Sequence, residues 1–261
     1  MEIKFDKYQG AGNDFILIDN REGQYSNLET EQFKYLCNRH TGIGADGIIL
    51  VEETPDADFE MRYFNADGRQ STLCGNGGRC TVAFAKRNQI IGRETCFKAI
   101  DGLHKASLIS TNEVRLQMQN VNIISRYGEA MVTDTGSPHY VQLVEDTSSV
   151  NVKEEGAAIR YSDAFISDGI NVNFLEKQSD SRFLIRTYER GVEDETLACG
   201  TGAVASALVM HHLGETQGLT KIELEALGGT LIVEFEISQQ GYHKIYLQGP
   251  ATFVFSGIIN L

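Results

Sequence analysis

The segments Cys74–Ala85 (CGNGGRCTVAFA) and Cys199–Met210 (CGTGAVASALVM) begin alike and lie 125 positions apart. Each starts with Cys-Gly-x-Gly, continues as an apolar run, and follows an aromatic-containing segment, MRYFNADG (61–68) or LIRTYERG (184–191). A second pair of glycine-led segments, at Gly12 and Gly136, repeats at an offset of 124. Two features at nearly one offset predict a duplicated structural unit.

The hydrophobic pattern predicts an α+β fold of two pseudo-symmetric halves. Short β-branched or aromatic runs between turn residues indicate strands, and the alternation of the later ones favours antiparallel sheet. The strands are expected at 15–18, 47–51, 59–64, 114–118, 222–225 and 231–237. Helical spacing is expected over 28–38, 78–88 and 202–212. The last two runs are apolar on almost all sides, so each half should be a mainly antiparallel sheet wrapped around a central apolar helix.

The duplication also predicts the domain boundaries. The first half should span 1–119 and carry the first cysteine, and the second should span 120–249 and carry the second. The final strand, 250–261, is expected to return to the first half. A chain of 261 residues is long enough for each half to bury a core of its own.

Composition excludes several classes of function. The formal net charge is −13, and no Lys/Arg stripe departs from that average, so nucleic acid is not an expected partner. No apolar run reaches the length needed to cross a bilayer, so a membrane is not expected either. The start, MEIKFDKYQGAGNDF, has no signal-peptide pattern, and a cytoplasmic location is expected.

The five cysteines allow three interpretations. Five is an odd number, and a reducing compartment disfavours a disulfide framework. Cys74 and Cys80 have five residues between them, more than a zinc knuckle has, and Cys199 has no nearby ligand partner, so no metal site is expected. The third interpretation is a reactive thiol at each duplicated turn. Cys37, Cys80 and Cys96 have no glycine-rich helix start after them and are expected to be structural.

A Cys-Gly-x-Gly turn that opens a helix suits anion binding and acid–base chemistry. Glycine lets the backbone approach a ligand closely. The first helical turn leaves N–H groups without partners and carries positive partial charge, which favours a carboxylate and a thiolate. If the two halves face each other, one thiol removes a proton from a carbon and the other delivers one to the opposite face, which inverts a stereocentre. The alternative is that Cys74 and Cys199 are small core residues.

The motifs together resemble the diaminopimelate epimerase family, nearly from end to end. The resemblance rests on eight of them in order, GAGNDF (10–15), RHTGIGADG (39–47), FNADG (64–68), LCGNGGRC (73–80), GSPH (136–139), NVNF (171–174), YERG (188–191) and ACGTGA (198–203). Family membership implies epimerisation of LL-diaminopimelate to the meso form without a cofactor, for lysine and peptidoglycan synthesis. A homodimer is possible from the family alone.

The resemblance also implies roles for individual residues. Cys74 and Cys199 would be the base and the acid, with His139 and Glu189 close to the reacting centre. The carboxylate at that centre would be held by main-chain N–H groups, those of Gly75, Asn76, Gly200 and Thr201. The distal end of the substrate would be recognised by polar side chains, those of Asn13, Asn65, Asn171, Glu189 and Arg190. Taken singly, the asparagines could equally shape turns, Arg190 could be a surface charge, and His139 could be a core residue.

The chain departs from the family pattern at two places. Ser137 stands where the family often has asparagine, so the distal contact would be made by a shorter hydroxyl. The turn 189–196, ERGVEDET, is one residue longer and more acidic than is usual.

Three alternative functions remain open from the sequence. A proline or hydroxyproline racemase is disfavoured, because such relatives usually have histidine where Asn76 stands. An isomerase without cysteine chemistry is disfavoured by the presence of both cysteines. A protein that binds an amino acid without turnover is the non-enzymatic alternative.

Overall fold

The computed structural model describes residues 1–71 and 74–261. They form two compact units, the first made of Met1–Leu116 and Gly249–Leu261, and the second of Gln117–Gln248. Leu73, the first residue of the LCGNGGRC motif, lies outside the described residues.

The first unit is a sheet with two helices. Its strands are β1 (Glu2–Gly10), β2 (Asn13–Asp19), β3 (Gly47–Glu52), β4 (Phe59–Asn65), β5 (Glu94–Ala99), β6 (Gly102–Ser110), β7 (Glu113–Gln117) and the C-terminal β17 (Thr252–Asn260). Helix α1 (Thr30–Cys37) follows β2, and α2 (Gly75–Arg87) follows β4. β17 pairs with β1, so the end of the chain completes the first unit.

The second unit repeats most of this order of elements, with an additional short strand before its second helix. Its strands are β8 (Ile124–Tyr127), β9 (Ala130–Asp134), β10 (Pro138–Leu143), β11 (Asn171–Lys177), β12 (Arg182–Glu189), the short β13 (Asp194–Thr196), β14 (Lys221–Ala226), β15 (Gly229–Ser238) and β16 (Gly241–Pro250). Helix α3 (Val152–Arg160) follows β10 and a short 3-10 turn, Thr147–Ser149, and α4 (Gly200–His212) follows β13. The sequence patterns had not predicted α3.

Strand pairing confirms the duplication. In the first unit the ladders β17–β1–β2–β3–β4–β5–β6–β7 run antiparallel, antiparallel, parallel, antiparallel, parallel, antiparallel and antiparallel. The ladders β8–β9–β10–β11–β12–β14–β15–β16 of the second unit have the same seven directions in the same order. Both sheets are therefore mainly antiparallel, and each parallel pair is joined through a helix, as a parallel connection requires.

The two helices that follow the cysteines are buried along most of their length. α2 is buried from Gly75 to Ala85 and packs against β1, β2, β3, β4, β6 and β17. α4 is buried from Ala203 to Met210 and packs against β9, β10, β11, β14 and β15. A helix surrounded by sheet must be apolar on all sides, which explains the continuous apolar runs in the sequence.

The outer helices bury one face each. Phe33 and Leu36 of α1 pack in a core with residues of the neighbouring strands, among them Ile16 and Ile48. In α3, Gly156 lies so close to β12 that an added Cβ would be 2.4 Å from Cβ of Tyr188. Close packing of α3 on the sheet therefore needs glycine at this position.

Candidate active site

Both predicted cysteines cap a buried helix. Cys74 is the N-cap residue of α2 and Cys199 is the N-cap residue of α4, and both have extended backbone conformations. The expected helix starts at 78 and 202 were wrong, because the helices begin at Gly75 and Gly200, directly after the cysteines. The N–H groups of Gly75, Asn76, Gly200 and Thr201 therefore belong to first helical turns, where intrahelical partners are lacking.

In the first unit, the structure brings together two of the predicted binding residues. Asn76 Nδ2 donates to Asn13 Oδ1 over 2.6 Å, and Asn13 Nδ2 donates to Asp46 Oδ2 over 3.0 Å. The Asn13 side chain is thus fixed by contacts on both its oxygen and its nitrogen. Asn65 lies at the exposed end of β4, in a turn in which its N–H donates to the carbonyl of Arg69.

The sequence patterns had not singled out Arg79, which has no exposed surface. Its guanidinium folds back along α2, where Nη2 donates to Asn76 Oδ1 over 2.8 Å and Nη1 donates to the carbonyl of Gly75 over 3.4 Å. This direction is expected, because helical side chains point towards the N-terminus of their helix. The sequence signal was a charged residue at the start of an otherwise apolar run.

In the second unit, His139 is fully buried in a hydrogen-bonded chain. Its Nε2 lies 2.9 Å from Thr201 Oγ1, and its Nδ1 lies 3.2 Å from Asn173 Nδ2. Thr201 Oγ1 in turn lies 3.5 Å from Cys199 Sγ. Burial, assisted by the positive charge of Arg190, lowers the pKa of His139 to about 3, so the imidazole is neutral near pH 7.

Asn173 is a further polar residue of this site and belongs to the motif NVNF (171–174). Its Nδ2 also donates to the carbonyl of Tyr140 over 2.9 Å, and its Oδ1 accepts from Thr187 Oγ1 over 3.0 Å. The amide is therefore oriented by its neighbours on both sides. A polar residue alternating with apolar ones inside the strand Asn171–Lys177 was the available signal.

The same strand positions in the first unit are occupied by less polar side chains. The pairs His139–Asn171 and Asn173–Thr187 of the second unit correspond, 124 residues earlier, to the pairs Phe15–Gly47 and Ile49–Tyr63. The atoms that face the two helix glycines differ in the same way. An added Cβ at Gly202 would contact the polar Asn173 Oδ1. An added Cβ at Gly77 would contact the apolar atoms Ile49 Cδ1 and Phe15 Cε1. Polar side chains therefore pack behind the turn at Cys199, whereas mainly apolar side chains pack behind the turn at Cys74.

Arg190 and Asn171 are both held by the second unit. Asn171 Oδ1 accepts from the Arg190 backbone N–H over 2.9 Å, and Arg190 Nη1 donates to the carbonyl of Asp168 over 2.7 Å. Ser137, which was expected to replace an asparagine contact to substrate, accepts from Asn171 Nδ2 at 2.9 Å and from Arg190 Nη2 at 3.2 Å. In this structure the serine hydroxyl positions the guanidinium.

Glu189 ends β12, and Thr196 Oγ1 donates to its Oε2 over 2.8 Å. The longer turn after it is organised by Glu193, whose carboxylate accepts from the hydroxyls of Tyr161 and Tyr188 at 2.9 and 3.1 Å. Burial alone would raise the pKa of Glu193, but these hydrogen bonds and that from the Gly191 N–H outweigh it and lower the pKa. The Glu193 carboxylate therefore stabilises the conformation of the turn through these hydrogen bonds.

The five cysteines carry free thiols. Burial raises the pKa of Cys37 and of Cys80 to about 12, so both are neutral thiols near pH 7. Within residues 1–71 and 74–261, His, Cys, Asp and Glu side chains form no group of three suited to holding a metal. In the same ranges, no helix combines the length and the apolar character that a membrane crossing needs.

A cavity of about 710 Å³ opens in the first unit near the C-terminal end of α2. Its walls include Lys86, Arg87 and Phe253, and none of the residues predicted for the site lines it. It is separate from the turn at Cys74, which is at the other end of the same helix.

Comparison with known proteins identifies the family of the chain. The family model described as diaminopimelate epimerase matches residues 5–124 and 131–254. A diaminopimelate epimerase of Flavobacterium psychrophilum is 49% identical over 257 residues, which cover 98% of this chain and 100% of the relative. One from Chlorobaculum tepidum is 45% identical over 97% of this chain and 99% of the relative.

Solved structures of lower identity share the fold. A PhzF-family phenazine biosynthesis protein of Bacillus anthracis superposes with a TM-score of 0.76 at 14% identity, covering 100% of both chains. A hydroxyproline epimerase of Agrobacterium vitis superposes with a TM-score of 0.69 at 12% identity, covering 99% of this chain and 91% of its own.

Proposed function

Because the chain belongs to the diaminopimelate epimerase family, we propose that it interconverts LL- and meso-diaminopimelate. The observation that carries the proposal is the duplicated helix start, where Cys74 and Cys199 each cap a buried helix. Full-length similarity to curated epimerases supports the choice of substrate.

The proposed chemistry is a two-base epimerisation. One cysteine begins as a thiolate and takes the α-proton, and the electron pair left on the α-carbon spreads into the substrate carboxylate. The other cysteine begins as a thiol and gives its proton to the opposite face of that carbon, so it ends as the thiolate. Cys74 and Cys199 exchange roles in the reverse direction, and the reaction as proposed needs no cofactor.

The main difficulty of this reaction is the weak acidity of the α-proton. First-turn N–H groups stabilise negative charge on a carboxylate, and this stabilisation grows as the proton leaves. The groups proposed for this role are the N–H groups of Gly75, Asn76, Gly200 and Thr201. A fixed array of donors loses little energy to reorganisation during the reaction.

The distal end of the substrate carries a second carboxylate and ammonium. Arg190 is proposed to bind that carboxylate, because guanidinium N–H groups can bind two carboxylate oxygens at once. Its contacts with Asp168 and Ser137 leave part of its five-donor capacity for a ligand. Glu189, Asn13, Asn65 and Asn171 are proposed to contact the remaining polar groups.

His139 and Glu189 are proposed to act close to the reacting centre. The neutral, buried His139 is linked through Thr201 to Cys199, which supports an influence on that thiol. Glu189 ends β12, ten residues before the same cysteine, and Thr196 Oγ1 donates to its carboxylate.

The cellular setting is part of the proposal. Such an enzyme would serve lysine and peptidoglycan synthesis in the cytoplasm. A homodimer is also proposed, and β17 supports it, since this strand exposes the apolar side chains of Val254, Phe255 and Ile258. Exposed apolar groups of this kind are often covered by a partner.

The test of the activity is proton NMR in deuterated water. Purified protein is mixed with LL-diaminopimelate and a reductant, without pyridoxal phosphate or added metal. Loss of the α-proton signal with appearance of the meso isomer supports the proposal. Cys74→Ala and Cys199→Ala are each expected to abolish turnover, and full turnover by either variant would end the two-cysteine mechanism.

Two parallel reactions separate the alternatives. Exchange with proline and none with diaminopimelate would favour a racemase. Absence of exchange with both, together with saturable binding of diaminopimelate, would favour a binding protein.

A further inference from the structure

Arg79 is a buried cation whose charge has no acidic partner among the described residues. Its three hydrogen bonds go to neutral oxygens, those of the Gly75 and Pro250 carbonyls and the Asn76 side chain. No ion pair of residues 1–71 or 74–261 includes Arg79, although it has no exposed surface. Guanidinium groups stay protonated in proteins, and a buried charge is costly unless an opposite charge compensates it.

The position of Arg79 on α2 increases the free-energy cost of burying its charge. Its guanidinium lies against the first turn of α2, where the helix already carries positive partial charge. That turn contains no acidic residue. A cation at this end of a helix is unfavourable unless an anion is bound there as well.

The nearby carboxylates are already neutralised by other cations. Apart from exposed Glu2, each acidic residue on the strands packed against α2 pairs with its own base, namely Asp6 with Arg87, Asp14 with Lys7 and Arg39, Asp19 with Arg21, Glu52 with Arg62, and Glu60 with Lys98. The buried Tyr8 also stays neutral, because burial raises the pKa of its hydroxyl. On α2 and the strands packed against it, a cysteine is therefore the remaining protein group that could supply an anion for Arg79, and a bound ligand is the other source.

Cys80 follows Arg79 directly in the helix, and Cys74 precedes Gly75 and Asn76, two of the residues whose oxygens accept hydrogen bonds from the Arg79 guanidinium. Cys80 lies inside the helix with no exposed surface, and burial raises its pKa to about 12. Cys74 is the N-cap residue and half-buried, a position where first-turn N–H groups favour the thiolate. Cys74 is the better candidate for the missing negative charge.

The second unit provides an internal comparison. The position equivalent to Arg79 in α4, 125 residues later, is Val204, which is fully buried. Thr201 Oγ1 lies 3.5 Å from Cys199 Sγ, and the neutral imidazole of His139 lies behind that hydroxyl. A full buried charge favours a thiolate more strongly than a neutral hydroxyl at 3.5 Å does.

We propose that Arg79 is the counter-ion of a Cys74 thiolate, so that Cys74 is the base and Cys199 the acid in the substrate-free protein. The catalytic meaning of this assignment rests on the proposed epimerisation. In the first half-reaction Cys74 takes the α-proton and becomes a thiol, while Cys199 gives up its proton and becomes the thiolate. Arg79 then lies beside a neutral thiol and contributes its charge to the bound carboxylate.

The test measures each thiolate without substrate. Iodoacetamide, a neutral reagent, is added for short times between pH 5 and 10, and the peptides containing Cys74 and Cys199 are quantified by mass spectrometry. The midpoint pH of each profile is compared, because unequal exposure changes the plateau rate but leaves the midpoint in place. We expect the Cys74 midpoint to lie roughly one pH unit or more below that of Cys199.

Substitutions of Arg79 test whether its positive charge lowers the midpoint pH of Cys74 alkylation. Arg79→Met is expected to raise the Cys74 midpoint by about one pH unit and leave that of Cys199 unchanged, whereas Arg79→Lys retains most of the effect. Arg87→Met is the matched control, because it removes the same charge from the same helix eight residues, or about 12 Å, further along. It is expected to leave the Cys74 midpoint unchanged.

Several outcomes would overturn the proposal. One is a Cys199 midpoint at or below that of Cys74 in the unsubstituted protein, which decides the matter even if Arg79→Met fails to fold. Another is a folded Arg79→Met with an unchanged Cys74 midpoint, which would show that Arg79 does not stabilise the Cys74 thiolate. Because alkylation needs no substrate, both midpoint measurements are independent of whether diaminopimelate is turned over.

Discussion

Asn173 Nδ2 lies 3.2 Å from Nδ1 of His139, and this contact determines which imidazole nitrogen carries the proton. The Asn173 amide nitrogen faces the Tyr140 carbonyl and its oxygen accepts from Thr187, so it presents a donor to Nδ1. Nδ1 must therefore be unprotonated, and Nε2–H donates to Thr201 Oγ1. The Thr201 hydroxyl is oriented by this chain next to Cys199.

Replacing Asn173 by leucine should weaken both the fold and catalysis. The change leaves the Tyr140 carbonyl, the Thr187 hydroxyl and His139 Nδ1 without their partner, and each unpaired buried group costs about 1–3 kcal/mol. We expect the free energy of unfolding to fall by roughly 3 kcal/mol in urea titrations. The matched control Thr187→Val removes one of these contacts and should cost about 1 kcal/mol. Equal losses for the two variants would contradict a central role of Asn173.

The neutral state of His139 should make stability depend on pH. Its pKa is about 3 in the folded protein and about 6.5 in an unfolded chain. Because the folded value is the lower one, this contribution is complete above about pH 6.5 and is lost as the pH falls towards 3. Urea titrations at pH 7, 6, 5 and 4 should show a shallower decline for His139→Gln than for the unsubstituted protein. The exposed His40, changed to Gln, is the control and should leave the slope unchanged.

The two helix glycines should respond differently to alanine. An added Cβ at Gly202 would lie 2.5 Å from Asn173 Oδ1 and 3.4 Å from Cys199 Sγ. At Gly77 the nearest atom is Ile49 Cδ1 at 3.2 Å, the end of a flexible side chain. Gly202→Ala should therefore cost about 1–3 kcal/mol of unfolding free energy, whereas the gain in helix propensity should offset most of the cost of Gly77→Ala. A larger loss for Gly77→Ala in chemical denaturation would contradict the described packing.

Asp14 should stabilise the first unit in a pH-dependent manner. Burial would raise its pKa, but hydrogen bonds from Arg39 and Lys7 outweigh burial and lower the pKa to about 2. The folded value is below the unfolded value of about 4, so the contribution is present above pH 4 and is lost as the pH falls through 2. Asp14→Asn should therefore reduce the unfolding free energy by about 2 kcal/mol at pH 7 and by much less near pH 2.5. Asp67→Asn, at an exposed position, should show no such trend.

Glu193 should control the turn that carries Glu189 and Arg190. Removing its carboxylate in Glu193→Ala frees the hydroxyls of Tyr161 and Tyr188 and the Gly191 N–H. We expect KM for diaminopimelate to rise about tenfold with a smaller change in kcat, since the distal binding groups lose their fixed position. The steady-state assay should show a smaller effect for Glu193→Gln, which keeps an acceptor oxygen. A fall in kcat at unchanged KM would place the effect on the chemistry instead.

Several features of the protein could be predicted from the sequence because they depend on local or repeated patterns. Apolar runs with helical spacing predicted the two buried helices, and the 125-residue offset between Cys74 and Cys199 predicted the duplication. Helix α3 was not predicted, since tertiary packing on the sheet, with Gly156 against Tyr188, stabilises it more than its own composition does. The helix starts were placed two or three residues late, because glycine has low helix propensity and the close packing at Gly77 is a tertiary effect.

The sequence by itself determined the family, the two-fold repeat and the cysteines that begin each buried helix. Only the tertiary structure decided what surrounds those cysteines. Strand register places His139, Asn173 and Thr187 in the second unit where the first unit has Phe15, Ile49 and Tyr63, and register depends on pairing between distant segments. The burial of Arg79 is likewise a consequence of the sheet that encloses α2. Two similar turns thus have different electrostatic environments, because the energy of a charge depends on the groups packed around it.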